Sequence, residues 1–287
     1  MLSDRQLALL LVLPLIFLQF IICIYPIVYS LWLSFYDVKL MARTMRFVGL
    51  ANYLKLGADP LFKHSLTISL RFVAETVALI VAISLFAALI MNERIKGKSI
   101  LKVAVIMPWA LSEFAVAIAA RFFLDRNYGF LNTLLKNLGI IKEGINFLTA
   151  NYAVEWLAIF YAWNVAPIGA YFILSALQTI PEDLYKQAKI DGASALLRFR
   201  AVVFPFISYA VLITAALATI LAASSIVLCF ALTGGGPGFA SLLATLYDFR
   251  VFFYNQDFGY GAAISWILLA LVMVVVVLYF VLLTRRR

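Results

Sequence analysis

Histidine is nearly absent: His64 stands alone, and no cysteine lies near it in sequence, so a structural zinc site or a histidine-based triad has almost nothing to be built from. The two cysteines, Cys23 and Cys229, fall inside apolar runs, where a thiol behaves as a small hydrophobe and a bridge across lipid would need special packing. No disulfide is expected. Charge is scarce as well: 13% of the 287 residues are Asp, Glu, Lys or Arg against 65% hydrophobic, with a mean hydropathy of +1.02. That balance excludes an ordinary soluble domain. Low-complexity linkers and fixed-period repeats are missing too, so function must lie in apolar segments and the loops between them. The formal charge of +9 fits nucleic acid in principle. The cations sit between apolar runs rather than on one element, however, which points to membrane topology and to no nucleic-acid partner.

What is present is a series of six apolar segments, near 8–33, 69–91, 103–124, 152–178, 202–231 and 262–283. Each is long enough to cross a hydrocarbon core of about 30 Å at about 1.5 Å per residue. Pro14, Pro26, Pro108, Pro167 and Pro205 fall within them, tolerable where neighbouring groups satisfy the freed carbonyls. The first segment has no small-residue cleavage site and is expected to remain as an anchor. Connections 1–6, 92–102, 179–201 and 284–287 carry 12 Lys and Arg in 44 residues, whereas 34–68, 125–151 and 233–261 carry 9 in 91. The denser set belongs in the cytoplasm, with both termini inside and Arg285-Arg286-Arg287 as a stop signal at the inner surface. The expectation is an all-α polytopic protein, one transmembrane domain over 1–287. Of the longer outer connections, 47–65 has its own punctuation, and 125–148 reads as a short interfacial helix ended by Gly139.

The inner loop "LYKQAKIDGASALLRFRAVVFP", Leu184 to Pro205, carries four cations in so apolar a chain. Pro181 with Glu182 and Asp183 is a helix start, and Asp191-Gly192 a turn able to take positive φ. Ser194 is placed to cap a second short helix that runs into the next segment. A compact helix-turn-helix at the membrane surface follows. One reading has Lys186, Lys189, Arg198 and Arg200 meeting anionic lipid headgroups.

The same string resembles the signature loop of binding-protein-dependent ABC importer permeases: Glu-Ala-Ala, three residues, Gly, and a Pro at the next helix. The resemblance extends over nearly the whole chain and is to the carbohydrate branch, which includes maltose and glycerol-3-phosphate permease subunits. Its marks are "YPIVYSLWLSF", "FVGLANYLKLGADPLF", "YGFLN", "LQTIPEDLY", "ALTGGGPG" and "FGYGAAIS", in order. The resemblance implies a type I importer permease with six transmembrane helices and a coupling helix, within about 179–201, between the fourth and fifth. It implies a prokaryotic inner-membrane location and import of a sugar or related solute by alternating access. Partners would be a second permease subunit, a cytoplasmic ATPase dimer and an extracytoplasmic solute-binding protein. ATP and Mg²⁺ would be bound by the ATPase, so this chain would need no cofactor and hydrolyse nothing. Lys186, Gln187, Ala188, Asp191, Gly192 and Ala193 would be the ATPase-coupling residues. The Glu-Ala-Ala falls on Lys186-Gln187-Ala188, so a cation replaces the expected acid and favours an acidic partner residue.

Aligned without gaps to the maltose subunit, the sugar-contacting positions become Tyr161, Asn164, Val165 and Ile168 on the fourth helix and Ala218, Leu221, Ala222 and Ser225 on the fifth. Spacings of three and four put each group on one face, where plain helix packing would serve as well. Only Tyr161, Asn164 and Ser225 can hydrogen-bond, whereas a sugar site needs several polar groups and an aromatic platform. A smooth, weakly binding wall is expected. Glu75, Glu113 and Glu155 lie in different segments and form no evident proton relay, which weighs against the alternative of a self-sufficient secondary transporter or channel. Arg71 and Arg121 are candidates to line an anion path, though Arg121 also suits snorkelling to the outer interface. The Gly run of "ALTGGGPG" has no following Gly-Lys-Ser/Thr and reads as a helix end rather than an ATP cradle.

Overall fold

The computed structural model describes residues 4–39, 41, 43–93 and 95–284; the Arg285-Arg286-Arg287 stop signal lies outside them. The chain is helical, and its apolar segments become α1 (Asp4–Gln19) with α2 (Tyr25–Leu33), α4 (Pro60–Asn92), α5 (Lys98–Ile106) with α6 (Glu113–Leu124), α8 (Ala153–Leu177), α10 (Ala195–Arg198) with α11 (Phe204–Ser224), and α14 (Phe258–Thr284). Shorter α3 (Ala51–Ala58), α7 (Phe130–Asn137), α9 (Glu182–Ile190), α12 (Val227–Leu232) and α13 (Ala244–Phe253) lie in the connections. Among the described residues, five continuous helical stretches are long and apolar enough to cross a membrane, and the bent α5–α6 pair, taken as one span, makes a sixth.

Three boundaries differ from expectation. The second span begins at Pro60 rather than near 69, because Asp59 Oδ1 accepts from the N–H groups of Leu61 and Phe62 and starts the helix early. The third is not straight: after a 3₁₀ turn at Met107–Ala110 the chain bends by 96° into α6. The fifth begins at Ala195 and ends at Ser224, where extended Ser225 separates it from α12. Two π turns, Phe20–Ile24 and Phe199–Val203, each end two residues before a proline, Pro26 and Pro205. A proline has no N–H to give to the carbonyl four residues back and its ring crowds that carbonyl, so the preceding turn widens.

Contacts divide the chain into two units, 1–63 with 247–270 and 64–246 with 271–287. In the first, an antiparallel hairpin that hydrophobic periodicity missed, β1 (Tyr36–Lys39) and β2 (Thr44–Phe47), pairs Tyr36 with Phe47. It approaches α14 so closely that a Cβ on Gly259 would lie 1.9 Å from the Tyr36 carbonyl oxygen. The buried Asn52 donates to the carbonyls of Ser34 and Tyr36, both at 2.9 Å, and holds the hairpin to α3.

In the second unit α8 is the central post: 67% of its most apolar stretch is buried, against 22% for α4 and 33% for the α10–α11 span. Lipid offers apolar helices little net gain from mutual burial, so close packing by small residues decides how they associate. Gly169 shows this. A Cβ there would fall 2.4 Å from Thr214 Cγ2 and 2.5 Å from Ser84 Oγ, so α4, α8 and α11 meet at a point where only glycine fits. Ser84 Oγ donates to the Ala166 carbonyl at 2.7 Å across the same contact.

Candidate functional site: a mounted loop and a helical wall

The loop between the fourth and fifth spans forms the expected helix-turn-helix. Pro181 precedes α9 with φ −59° and ψ 133°, and Glu182 and Asp183 occupy its first turn. At its end the Gly192 N–H bonds to Lys189 O at 3.1 Å and the Ala193 N–H to Ala188 O at 3.0 Å, with Gly192 at φ +72°. These two bonds close the helix in a Schellman turn that requires a left-handed residue at 192. Ser194 Oγ then accepts from Leu197 N–H and caps α10, which continues through the π turn into α11.

The loop is mounted on one side and bare on the other. Leu184, Tyr185, Phe199 and Val202 pack against a buried cluster that includes Met91, Ile173, Leu177, Val203 and Ile207, tying α9 to α4, α8 and α11. Lys186, Gln187, Asp191 and Gly192 are exposed, and Ala188 and Ala193 half-buried. Lys186 Nζ pairs with Asp183 Oδ1 at 2.8 Å, so part of the charge that replaces the expected acid is met within the helix. Ile190, Leu196 and Leu197 are 84%, 66% and 55% exposed. Apolar side chains at the tip of a charged hairpin suit a protein partner.

Of the wall residues, Tyr161, Asn164, Val165, Ala218, Ala222 and Ser225 are buried, and Ile168 and Leu221 half-buried. The fold brings the two groups together, since α8 and α11 pack along each other. All three polar members turn to the chain itself. Tyr161 Oη donates to Leu221 O at 2.8 Å. Asn164 Nδ2 donates to the carbonyls of Pro108 and Leu111, at 2.6 and 3.2 Å. Ser225 Oγ donates to Glu113 Oε2 at 3.3 Å. Asn164 therefore satisfies the Leu111 carbonyl where the third span breaks and adds a second donor to the Pro108 carbonyl, which already accepts from Leu111 N–H. Glu113, which reads from sequence as a residue near a helix end, opens α6 inside that span, behind the N-cap Ser112. The signal for the break was legible: Pro108 followed by a capping Ser-Glu pair within an apolar run.

Glu75 and Glu155, in different segments, are brought together by Arg71, whose Nε donates to Glu75 Oε1 at 2.7 Å while Nη2 donates to Glu155. The shared guanidinium thus ties α4 to α8 through an ion pair. Arg121 reaches back to the Ala231 carbonyl at 3.4 Å. The GGGPG turn offers no phosphate cradle: Gly234 N–H is spent on Cys229 O, Gly235 N–H on Thr233 Oγ1 and Gly236 N–H on Thr233 O.

Residues that sequence reasoning passed over serve as staples, and they lie in the quoted motifs. In "YGFLN", Asn132 is fully buried, donates to Asp125 O and Ile145 O and accepts from Ile145 N–H. In "GADPLF", Asp59 Oδ2 accepts from Tyr247 Oη at 2.5 Å and Tyr260 Oη at 2.6 Å. Burial works to raise the Asp59 pKa, but those two hydroxyls and the helix N–H groups together hold it below the usual carboxylate range.

Residues 80–287 match the profile of the binding-protein-dependent transport system inner membrane component. The trehalose/maltose transport system permease protein MalF of Thermococcus litoralis is 33% identical over 278 residues, 96% of this chain and 93% of the relative. The sulfoquinovosyl glycerol transport system permease protein SmoG of Agrobacterium fabrum is 30% identical, covering 97% of this chain and 90% of that protein. Among solved structures, a chain of a bacterial alginate ABC transporter in complex with alginate pentasaccharide-bound periplasmic protein superposes with a TM-score of 0.82. It is 17% identical and covers 96% of this chain and 93% of that one, a likeness of fold. A multi-pass helical chain that carries this profile over more than two thirds of its length belongs to the family of binding-protein-dependent transport system inner membrane components.

Proposed function

We propose that the protein is one of two membrane subunits of an ATP-driven sugar importer, with a paired cytoplasmic ATPase below and a solute-binding protein outside. The observation that carries this is the α9–α10 hairpin. Its inner face is locked to three spanning helices, and its outer face presents Lys186, Gln187 and Ile190. Closure of the ATPases on ATP would push on the hairpin, and the shared cluster would pass that displacement to α4, α8 and α11 as a rigid body. ATP and Mg²⁺ belong to the partner, since the Gly-rich turn of this chain spends its N–H groups internally. The count of Lys and Arg supports both termini and the hairpin in the cytoplasm. A sugar or related solute is favoured by what relatives at 30% identity or more are named for, trehalose/maltose and sulfoquinovosyl glycerol.

The α8–α11 face then acts as a wall past which solute slides, supported by the internal use of its hydrogen-bonding groups. Selectivity falls to the binding protein, the second subunit, or another surface of this chain. Affinity purification of the tagged protein from native membranes in mild detergent, with mass spectrometry of what accompanies it, tests the assembly. Recovery of an ATPase and a second six-helix permease is expected. An ATPase-free homo-oligomer would contradict it and favour a self-sufficient carrier.

A further inference from the structure

Beyond the break, at the far end of α6, the chain forms a cleft of about 670 Å³ lined by Arg121, Phe122, Asp125, Arg126, Tyr128 and Asn146, among others. Small-ligand sites fall in the range of about 300–1,000 Å³. The walls are built rather than draped. Gly144 lies so close to Arg126 that a Cβ would meet the Arg126 carbonyl oxygen at 2.0 Å, and Asn132 ties residue 125 to residue 145 from behind.

The polar groups are held in place while keeping capacity for a ligand. Arg126 Nε donates to Gly144 O at 2.9 Å and Arg121 Nη1 to Ala231 O at 3.4 Å. A guanidinium has five N–H donors, so each arginine is oriented by one nitrogen and has others to offer. Asp125 Oδ1 accepts from the N–H groups of Asn127 and Tyr128, and those bonds hold its carboxyl below the usual range, ionised at neutral pH. Asn146 is fixed through its Oδ1, which accepts from Leu148 N–H. Phe122 and Tyr128 are 61% and 67% exposed, with ring centroids 6.4 Å apart.

Two fork donors, a carboxylate, an amide and two open rings are the complement of a sugar, which presents hydroxyls to polar groups and C–H faces to rings. Two cations against one carboxylate leave an excess positive charge. We infer that this cleft binds a saccharide bearing an acidic substituent, which Arg121 and Arg126 receive while Tyr128 and Phe122 carry the ring and Asp125 and Asn146 take hydroxyls. The inference rests on the sugar-import reading and adds that the solute, or one class of it, is anionic. A phospholipid headgroup fits less well, because its compact phosphate would meet the ionised Asp125 together with the arginines. A saccharide can set hydroxyls against Asp125 and its acid group apart from it.

The test uses the complex purified with its partner subunits, in phosphatidylcholine nanodiscs, titrated calorimetrically with digalacturonate, glucose 6-phosphate and neutral maltose. Saturable binding of at least one acidic probe, absent for maltose, is expected. It should weaken about tenfold or more in Arg121→Gln and Tyr128→Ala, as loss of a charge-assisted contact or a ring platform would produce. Tyr128 is exposed, so its variant keeps the site testable should Arg121→Gln misfold. Failure of both acidic probes to bind, or equal binding of maltose, overturns the inference. So does loss of the acidic-probe signal when phosphatidylglycerol replaces a third of the lipid, with that lipid retained through Arg121, which would make the cleft a headgroup site. ATPase content and activity of the same preparation separate the two claims. An ATPase-containing complex that binds neither acidic probe defeats the cleft and leaves the importer standing; a preparation with no ATPase defeats the importer.

Discussion

At Asn132 one buried carboxamide closes a loop of twenty residues, using both an acceptor and donors on backbone from its two ends. Asn132→Ala strands the Ile145 carbonyl and N–H and takes one of two donors from the Asp125 carbonyl, and should cost about 2–3 kcal/mol of local stability. Hydrogen exchange should report this as faster exchange confined to about residues 125–148, with the hairpin at 181–200 unchanged. Asp248 behaves differently. Its Oδ2 accepts from Ser265 Oγ at 2.5 Å, while Oδ1 is buried without a partner among the described residues. Burial, only partly offset by the Ser265 hydroxyl, pushes its pKa up to about 7. Because the folded state holds this proton more tightly than the unfolded chain, the stability it provides is present at low pH and is lost as pH rises towards 7. Asp248→Asn, which stays neutral, should therefore raise the melting temperature more at pH 8 than at pH 5. A gain of equal size at both pH values would contradict the assignment.

Among elements, the broken third span sets the geometry around it. The Leu111 carbonyl there falls to Asn164, the new helix start to Ser112, and the first acid of α6 to Ser225. Asn164→Ala should lower thermal stability by about 1–2 kcal/mol through the unmet Leu111 carbonyl and the lost second bond to Pro108 O, while leaving the order of preferred solutes in uptake assays unchanged. A changed solute preference would make the wall a selective site. The spans were legible in the sequence because apolar length alone decides what can cross lipid. The helical hairpin at 181–200 was legible because Pro181, Asp191-Gly192 and Ser194 are local signals whose geometry needs no tertiary context. The break at 111–112 was not read, since an apolar run is continuous across it and the cap hides in Ser112-Glu113. The hairpin at 36–47 was missed because its strands are four residues each and gain their place from the approach of Gly259. The cleft was invisible for a different reason: it joins residues 121–128 with residue 146, and only Asn132 and Gly144 make that meeting possible.

At the scale of the whole molecule, the hairpin at 181–200 is stiff where it meets the bundle and exposed on its other face. Gly192→Pro removes the N–H that closes α9 and fixes φ near −65°, against the observed +72°. ATP hydrolysis by the assembled complex should persist while uptake falls to background, with the protein still in the membrane; normal uptake would defeat the coupling role. The most direct test places a photo-crosslinking amino acid at Gln187, on the exposed face of α9, and irradiates native membranes. One dominant adduct is expected, to a nucleotide-binding ATPase, that changes in yield with ATP. Adducts to lipid alone, or no protein adduct at all, would contradict it and return the hairpin to the membrane surface.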